Sequence, residues 1–581
     1  MGTVTALEER AGGGRVTRVN GPLVEVAGLA GAAMSEVVEI GLDGIPAEVV
    51  AISDGTITTQ AYEYTGGVQV GDRAIPQGGQ LSARLGPGLL GQVFDGLLRP
   101  LSSAPVWLTA GRDVGGPAHT WPFTPTAPVG EHVGPGTVLG TVEVGASLPH
   151  RVLVPPGRSG ELTWLAEAGA VGDDDAVAQV DGRPVTLWEH WPVRRPRPFR
   201  YRENAAAPLH TGQRVLDMLF PVSRGAAACV PGGFGTGKTV LLQQIAKWCD
   251  AAVIVYIGCG ERGNEMADVL GELSELTDAR TGGRLIDRTV ILANTSNMPM
   301  MAREASIYTG ITVAEYYRDM GYDTVVIADS TSRWAEALRE FSSRTGALPA
   351  EEGYPADLAS ALAAFYERAG QVETLGGRRA SVTVIGAVSP PGGDLAEPVT
   401  TATERFVQSV WTLDRELAYS RHYPAVSWSG SFARQVEAVA GWHAAHDDTD
   451  WARRRERAAT LLSEADRLAD LAEIIGVGTL PGHERIVLLG GRLLREAVLM
   501  QSALSENDAF SSAAKGAALL QAVLDVVDTC DGLIERGVPA AVIEEHDFGP
   551  LIRVRDEAGP DETEPVDEVR AELLRSLEEL A

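Results

Sequence analysis

The sequence predicts a multidomain α/β protein: a small N-terminal β-barrel, a second β-rich block, an α/β domain with a mostly parallel sheet, and a C-terminal helical bundle. Three observations predict it. Short apolar runs broken by Gly, Pro and Asp-Gly turns fill residues 15–195. From about Pro208 the texture becomes strand, glycine loop, helix, strand. After about residue 440 the strand pattern stops and apolar residues recur at helical spacing.

Composition narrows the class. A chain of 581 residues exceeds one ordinary core, and 44% apolar content is enough to fold it. No stretch approaches the unbroken apolar length of a membrane span. The start, MGTVTALEERAGG, lacks a basic-plus-apolar leader, so a cytosolic location is the expectation. The formal charge of −29 argues against a nucleic-acid partner. Cys229, Cys249, Cys259 and Cys530 form no C-x-x-C pair and read as reduced, packed thiols.

The barrel is assigned to residues 1–80, with a loose lead-in over the first fourteen. Its strongest signal is the Asp43-Gly44 turn between SEVVEIGL and IPAEVVAI. Residues 81–109 are connecting structure, and 110–195 form the second β-rich block. His119, His132 and His150 fall there without metal-ligand spacing and read as structural. WPVRRPRPFRYR is basic, but its alternating prolines suggest an extended linker rather than an anion site. Residues 196–440 form the α/β domain, where ASIYTGITVAEYYRDMG reads as an amphipathic helix. Residues 441–581 form the bundle, with a stripe of Leu461, Ala465, Leu468, Ala472 and Ile475 and a last helix marked by Val569, Leu573, Leu577 and Leu580.

The chemistry centres on Gly232–Thr239, GGFGTGKT, which matches G-x-x-x-x-G-K-[ST]. Apolar residues precede it, and a helix with Val240, Leu241, Ile245 and Trp248 on one side follows. Glycines let backbone N–H groups curl around an anion, and the helix N-terminus directs partial positive charge at it. Lys238 would neutralise phosphates and Thr239 would offer a hydroxyl to Mg²⁺. Asp329 ends the apolar strand DTVVIAD, where a carboxylate would hold Mg²⁺ through water; the bland alternative is a helix cap, with Arg333 as an ion-pair partner. Glu261 follows the strand Val253–Ile257, expected beside the phosphate-loop strand, and is placed to orient an attacking water. From spacing alone a solvated loop glutamate is as good a reading. Arg262 would meet phosphate oxygens or form a salt bridge.

These residues also carry a resemblance. GGFGTGKTVLLQQIAKWCDAAVIVYIGCGERGNEM, VVIADSTSRWAEALRE, LPAEEGYPADLASALAAFYERAG, SPPGGDLAEPVT and RHYPAVSW resemble the catalytic A subunit of the V/A-type rotary ATPases, as do FDGLLRP, WPVRRPRP and PLHTGQRVLDMLFPV. The resemblance implies an N-terminal β-barrel, a β-rich bulge insertion, a RecA-like P-loop domain and a C-terminal helical domain. It implies ATP or ADP with Mg²⁺, and hydrolysis or synthesis coupled to proton or sodium transport. It also implies an A3B3 ring in which non-catalytic B subunits supply an arginine finger, joined through central and peripheral stalks to a membrane rotor. The chain would then be peripheral on the cytoplasmic face. Gly232, Gly233, Phe234, Gly235, Thr236, Gly237, Lys238, Thr239 and Val240 would be the phosphate loop, and Glu261 the water-activating carboxylate. Arg262 would contact phosphate, Asp329 would hold Mg²⁺ through water, and Tyr423 would pack on adenine.

The sequence departs from that pattern in places. Gly233 stands where the family often has Pro, and Leu504 where a second adenine-side aromatic is expected. The competing readings are a non-catalytic nucleotide-binding ring subunit, which should lack an intact GKT and Glu261, and an export-type ATPase or hexameric helicase on the same core. The 110–195 insertion and the long helical C-terminus speak against the last two.

Overall fold

The computed structural model describes residues 13–581 except 30, 54, 102–118, 146–147, 205, 279–281 and 347. Most of the expected lead-in, the end of the connector and the start of the second β-rich block therefore lie outside the described residues. The chain divides into two compact units, Met1–Glu203 with Ala251–Gly386, and Asn204–Asp250 with Ala387–Ala581.

The first unit opens with a closed six-stranded antiparallel barrel. Strand Glu36–Ile40 pairs with Ile45–Ser53 across the Asp43-Gly44 turn, with Ile40 opposite Ile45. Alternation places Val38, Ile40, Ala47 and Val49 inside. Two four-stranded sheets follow. One runs His132–Val133, Gly160–Leu165, Ala176–Val180, Arg183–Thr186; the other His150–Leu153, Val138–Val142, Thr120–Pro125, Gly169–Gly172. His150 is buried, its ring nitrogen 3.1 Å from the Tyr316 hydroxyl. Burial pushes its pKa down to about 3, so the ring is neutral. His119 and His132 are exposed.

The same unit holds a parallel run in the order Val93–Phe94, Thr289–Asn294, Val253–Cys259, Thr324–Asp329, and Arg379–Val388 as far as Gly386. Val253–Cys259 and its two neighbours are buried at every residue, which is why they read as unbroken apolar runs. Both edges of Val253–Cys259 are occupied by these neighbours, where the sequence reading expected the phosphate-loop strand on one side. Chain order does not give sheet order in such sheets, because later strands insert between earlier ones.

Helix Met300–Asp319 corrects the amphipathic expectation. Every residue except Met300 and Arg303 is buried. Its charges face partners instead of water. Arg194 reaches both oxygens of Glu304 at 2.7 Å, Arg368 pairs with Glu315 at 2.5 Å, and Arg197 pairs with Asp319 at 2.7 Å. Arg194 and Arg197 belong to the proline-spaced basic run, which turns at Val193–Arg194, the Arg195 amide donating to the Pro192 carbonyl at 3.0 Å, where an extended linker was expected, and it serves as a strap of ion pairs. A helical period cannot distinguish a solvated polar face from one satisfied by another segment.

The second unit carries the strand Ala227–Pro231, parallel to Ser409–Val410, which pairs antiparallel with Phe432–Ala433. Beyond that strand it is helical: Val436–Ala445, Trp451–Ile475, Gly482–Leu493, Ala513–Glu535 and Glu564–Glu578. Gly490 and Gly491 let Gly482–Leu493 approach Trp451–Ile475; a Cβ on Gly491 would lie 2.3 Å from that of Ala465. The expected stripe is buried at Leu461, Ala465, Leu468 and Ala472, whereas Ile475 is 46% exposed. The last helix buries Val566, Leu573 and Leu577. The apolar run after Glu484 does not stay α-helical: Leu494–Leu499 is a π-helical turn that ends at Met500. No helix among the described residues is long and apolar enough to cross a membrane.

Candidate active site

Two constellations carry the candidate chemistry, one in each unit. In the second unit, strand Ala227–Pro231 ends in the loop Gly232–Gly237, which runs into helix Lys238–Trp248. Gly235 and Gly237 have φ of 79° and 87°, which β-carbon-bearing residues rarely adopt. A Cβ on Gly232 would lie 2.8 Å from Leu413 and 2.9 Å from the Thr236 hydroxyl. Thr236 is buried and donates to the Gly233 carbonyl at 2.9 Å, bracing the loop from within. No side chain caps the following helix, as suits a terminus that presents its dipole to an anion. Lys238 Nζ donates to the carbonyls of Gly232 at 2.6 Å and Gly233 at 2.8 Å, holding its charge in the loop. Thr239 follows on the first turn. Phe234 is 88% exposed.

Beside this loop is a cavity of about 590 Å³, bordered by Thr236, Gly237, Val240, Tyr423, Met500 and Leu504 among others. Val240 is 51% exposed and opens to the cavity, so it does not belong to the helix's buried face; Leu241, Leu242, Ile245 and Ala246 form that face. The Tyr423 ring comes within 3.6 Å of where a Gly237 Cβ would stand, and its hydroxyl donates to the Ala418 carbonyl at 3.3 Å. Leu504 is 98% exposed. Sequence reasoning missed Leu413, Met500, Gln501 and Arg555 in this wall. No local sequence pattern marks them; an isolated bridge between Leu413 and Gly232 places Leu413 there.

The second constellation lies at the carboxyl ends of parallel strands in the first unit, where such sheets place their ligands. Gly258 is in register with Asp329, and Cys259 with Asn294. Gly260 turns the chain at φ 73°, and a Cβ there would lie 2.7 Å from that of Arg333. Glu261 follows, and Arg262 is exposed at the start of helix Gly263–Glu275. Asp329 is buried, and its Oδ2 accepts from the Tyr256 hydroxyl at 3.3 Å. Arg333 is engaged with Glu336 in its own helix at 3.0 Å. Burial, then the charge of Asp329, then a hydrogen bond and charge from Glu265 push the Glu261 carboxyl up to about 8; Arg333 pulls the other way. Glu261 is half-buried. Asn294, missed in the sequence, ends its strand with both side-chain amide atoms buried and unpaired.

The donor chemistry suits Mg²⁺ rather than a protein-caged metal. Among the described residues no three His, Cys, Asp or Glu side chains gather to hold an ion. The Thr239 hydroxyl in the second unit and the buried Asp329 carboxylate in the first are each hard oxygen donors, the kind that Mg²⁺ commonly uses together with substrate phosphates.

Comparison with known proteins decides the family. Sequence models match four consecutive parts of the chain: the ATP synthase alpha/beta family β-barrel domain over 16–78, its barrel-sandwich domain over 117–194, its nucleotide-binding domain over 212–433, and the C-terminal domain of V and A type ATP synthase over 440–538. The V-type ATP synthase alpha chain of Nitrosococcus oceani is 48% identical over 539 residues, which is 90% of this chain and 91% of that one. The chain belongs to the V/A-type ATP synthase A (alpha) subunit family. The A subunit of the A-type ATP synthase of Methanopyrus kandleri is 45% identical over 587 residues, 98% of each chain. Among solved structures, the assembled ATPase EscN of the type III secretion system of enteropathogenic E. coli aligns with a TM-score of 0.63 at 22% identity, over 88% of this chain and 100% of that one, a likeness of fold. Gly232–Thr239, Glu261 and Asp329 all fall within the match to the nucleotide-binding domain.

Proposed function

We propose that this chain is the catalytic subunit of a V/A-type rotary ATP synthase, making or hydrolysing ATP in step with proton or sodium movement across a membrane. The observation that carries the reading is Glu261: an intact GKT loop binds nucleotide, but only a positioned carboxylate beside Asp329 gives the chain a group to act on water. In hydrolysis, Lys238 exchanges its carbonyl acceptors for phosphate oxygens, while Gly232–Val240 wraps the phosphates and Tyr423 packs on adenine. Glu261 accepts a hydrogen bond from water and aligns it with the γ-phosphorus; Arg262 faces phosphate oxygens. Thr239, and Asp329 through water, would hold Mg²⁺, which when bound neutralises charge on the β- and γ-phosphates. Synthesis runs the same contacts in reverse.

Membership in this family implies a multi-subunit complex. The specific arrangement proposed is an A3B3 ring, in which a B subunit contributes an arginine finger, with central and peripheral stalks leading to a membrane rotor. The chain would sit peripherally on the cytoplasmic face. The test is ATPase activity of the reconstituted ring carrying Glu261→Gln. Nucleotide binding should persist while turnover falls by about 10²–10⁴, the usual contribution of a positioned base. Unchanged turnover would sink the assignment, and binding without turnover in the parent ring would favour a non-catalytic ring subunit.

A further inference from the structure

A separate cavity of about 270 Å³ lies wholly within the second unit, close to the lower end of small-molecule pockets, roughly 300 Å³. None of the residues assigned to nucleotide chemistry lines it. One wall is aromatic. His443 stacks on Trp451, with centroids 4.9 Å apart and planes 5° apart, and meets Trp442 edge-on at 5.1 Å. Trp442 in turn stacks on His446 at 4.0 Å. These rings fix one another, so the wall is formed before anything binds.

The rest of the wall is polar, and its charges are matched with one exception. Arg214 pairs with Asp508 at 2.7 Å, Arg454 with Asp448 at 2.6 Å, and Arg224 with Asp250. His210 uses both ring nitrogens, Nδ1 with Asp217 at 2.9 Å and Nε2 with the Ser511 carbonyl at 3.1 Å, a pattern that calls for the protonated ring. Burial opposes that charge, but Asp217 outweighs it and the pKa rises to about 9. Arg455 is the exception. Its Nε donates to the Leu219 carbonyl at 2.9 Å, and among the described residues no carboxylate pairs with it. Burial pushes its pKa down, against the charge of the adjoining Glu456.

We propose that this cavity is a second ligand site, which takes a small aromatic monocarboxylate with its rings against Trp442 and Trp451 and its carboxylate on Arg455. The planar guanidinium fork matches a carboxylate with two hydrogen bonds. One positive charge without an ion pair calls for one negative charge; a phosphate dianion would bring a surplus charge into the cavity, and a cation would find the carboxylates that line it already paired. The aromatic wall supplies offset stacking for the body.

The experiment uses the full chain, with 2-naphthoate as probe and 2-naphthylmethanol as its neutral counterpart, followed by tryptophan quenching and calorimetry. The acid should bind at least tenfold more tightly than the alcohol. Arg455→Gln should erase that difference without changing nucleotide affinity, and Arg455→Lys, which keeps the charge but loses the fork, should fall between. Trp442→Leu should weaken acid and alcohol by a similar factor. Equal binding of acid and alcohol by the parent chain, an unaltered preference in Arg455→Gln, displacement of the probe by ATP, or no binding at millimolar probe would each overturn the proposal.

Discussion

At the scale of single residues, Glu261 carries the strongest expectation. Its carboxyl is raised to about 8 by burial, Asp329 and Glu265, so the folded chain holds a proton there that an unfolded chain releases near the ordinary glutamate value. The stabilisation tied to that proton is complete below the unfolded value and is lost as pH rises through about 8. Thermal stability of the chain should therefore fall across that window, and Glu261→Gln should flatten the slope. The same proton must leave before Glu261 can accept one from water, so turnover should climb with pH as Glu261 ionises. Glu265→Gln removes a hydrogen bond and a like charge, and should move that limb of the pH–rate profile to lower pH. A limb that stays in place would remove Glu265 from the account. Leu504 supports an independent prediction. It borders the cavity beside Tyr423 and is almost fully exposed, so it has room for a larger ring. Leu504→Phe should tighten nucleotide binding by about 0.5–1.5 kcal/mol, the range for an added aromatic pair, with little change in turnover. Calorimetric titration of parent and variant with ATP measures it.

At the scale of elements, the segment after the π-helical turn Leu494–Leu499 is held by buried polar groups rather than by apolar packing. Met500 O accepts from Arg214 and Arg555, both at 2.7 Å, and the Gln501 side chain donates to the Gly212 carbonyl at 2.8 Å. Asp508 receives the Ser502 amide at 2.7 Å. Lys515, fully buried in helix Ala513–Glu535, donates to the carbonyls of Asn507, Arg555 and Ala558 at 2.7–2.8 Å. Lys515→Met keeps the stem but strands three buried acceptors, and should cost about 3–5 kcal/mol. Because Met500–Leu504 border the nucleotide cavity, the same variant should open residues 500–512 to proteolysis and weaken ATP binding. A lowered melting point with unchanged ATP affinity would show that the clip serves stability alone. None of this network was legible in the sequence. Gly232–Thr239 and Glu261 were, because a phosphate loop and a post-strand carboxylate are local patterns. Lys515, Arg214 and Asp508 carry no local pattern, since their partners are backbone carbonyls and side chains many residues away. The same blindness made Met300–Asp319 read as amphipathic: a periodic Glu or Arg looks solvated until the strap of Arg194 and Arg197 is laid across it.

For the whole molecule, the fold class was readable because each part announces itself differently. Asp43-Gly44 marks a hairpin, the runs at Val253–Cys259 and Thr324–Asp329 mark strands buried on both faces, and Leu461–Ala472 marks a packed helix. Sheet order was not readable, since nothing in Thr289–Asn294 says which edge of Val253–Cys259 it will take. What such a chain can do alone follows from charge. Hydrolysis concentrates negative charge on the transferring phosphoryl group, and this chain brings two carboxylates, Glu261 and Asp329, to the same strand ends. Lys238 and Arg262 are the cations assigned to phosphate, and Arg333 is engaged with Glu336. A further cation from a neighbouring protomer is therefore what the proposed ring must contribute, and such a group is worth about 10³–10⁵ in rate. The isolated chain should bind ATP with an affinity set by Gly232–Val240 and Tyr423, yet turn it over at least about 10³-fold more slowly than the ring with its B-type partner. Single-turnover assays on both species, at matched nucleotide occupancy, separate binding from chemistry. Equal rates would mean that the chain completes its own site, and would remove the reason for the B-subunit arginine.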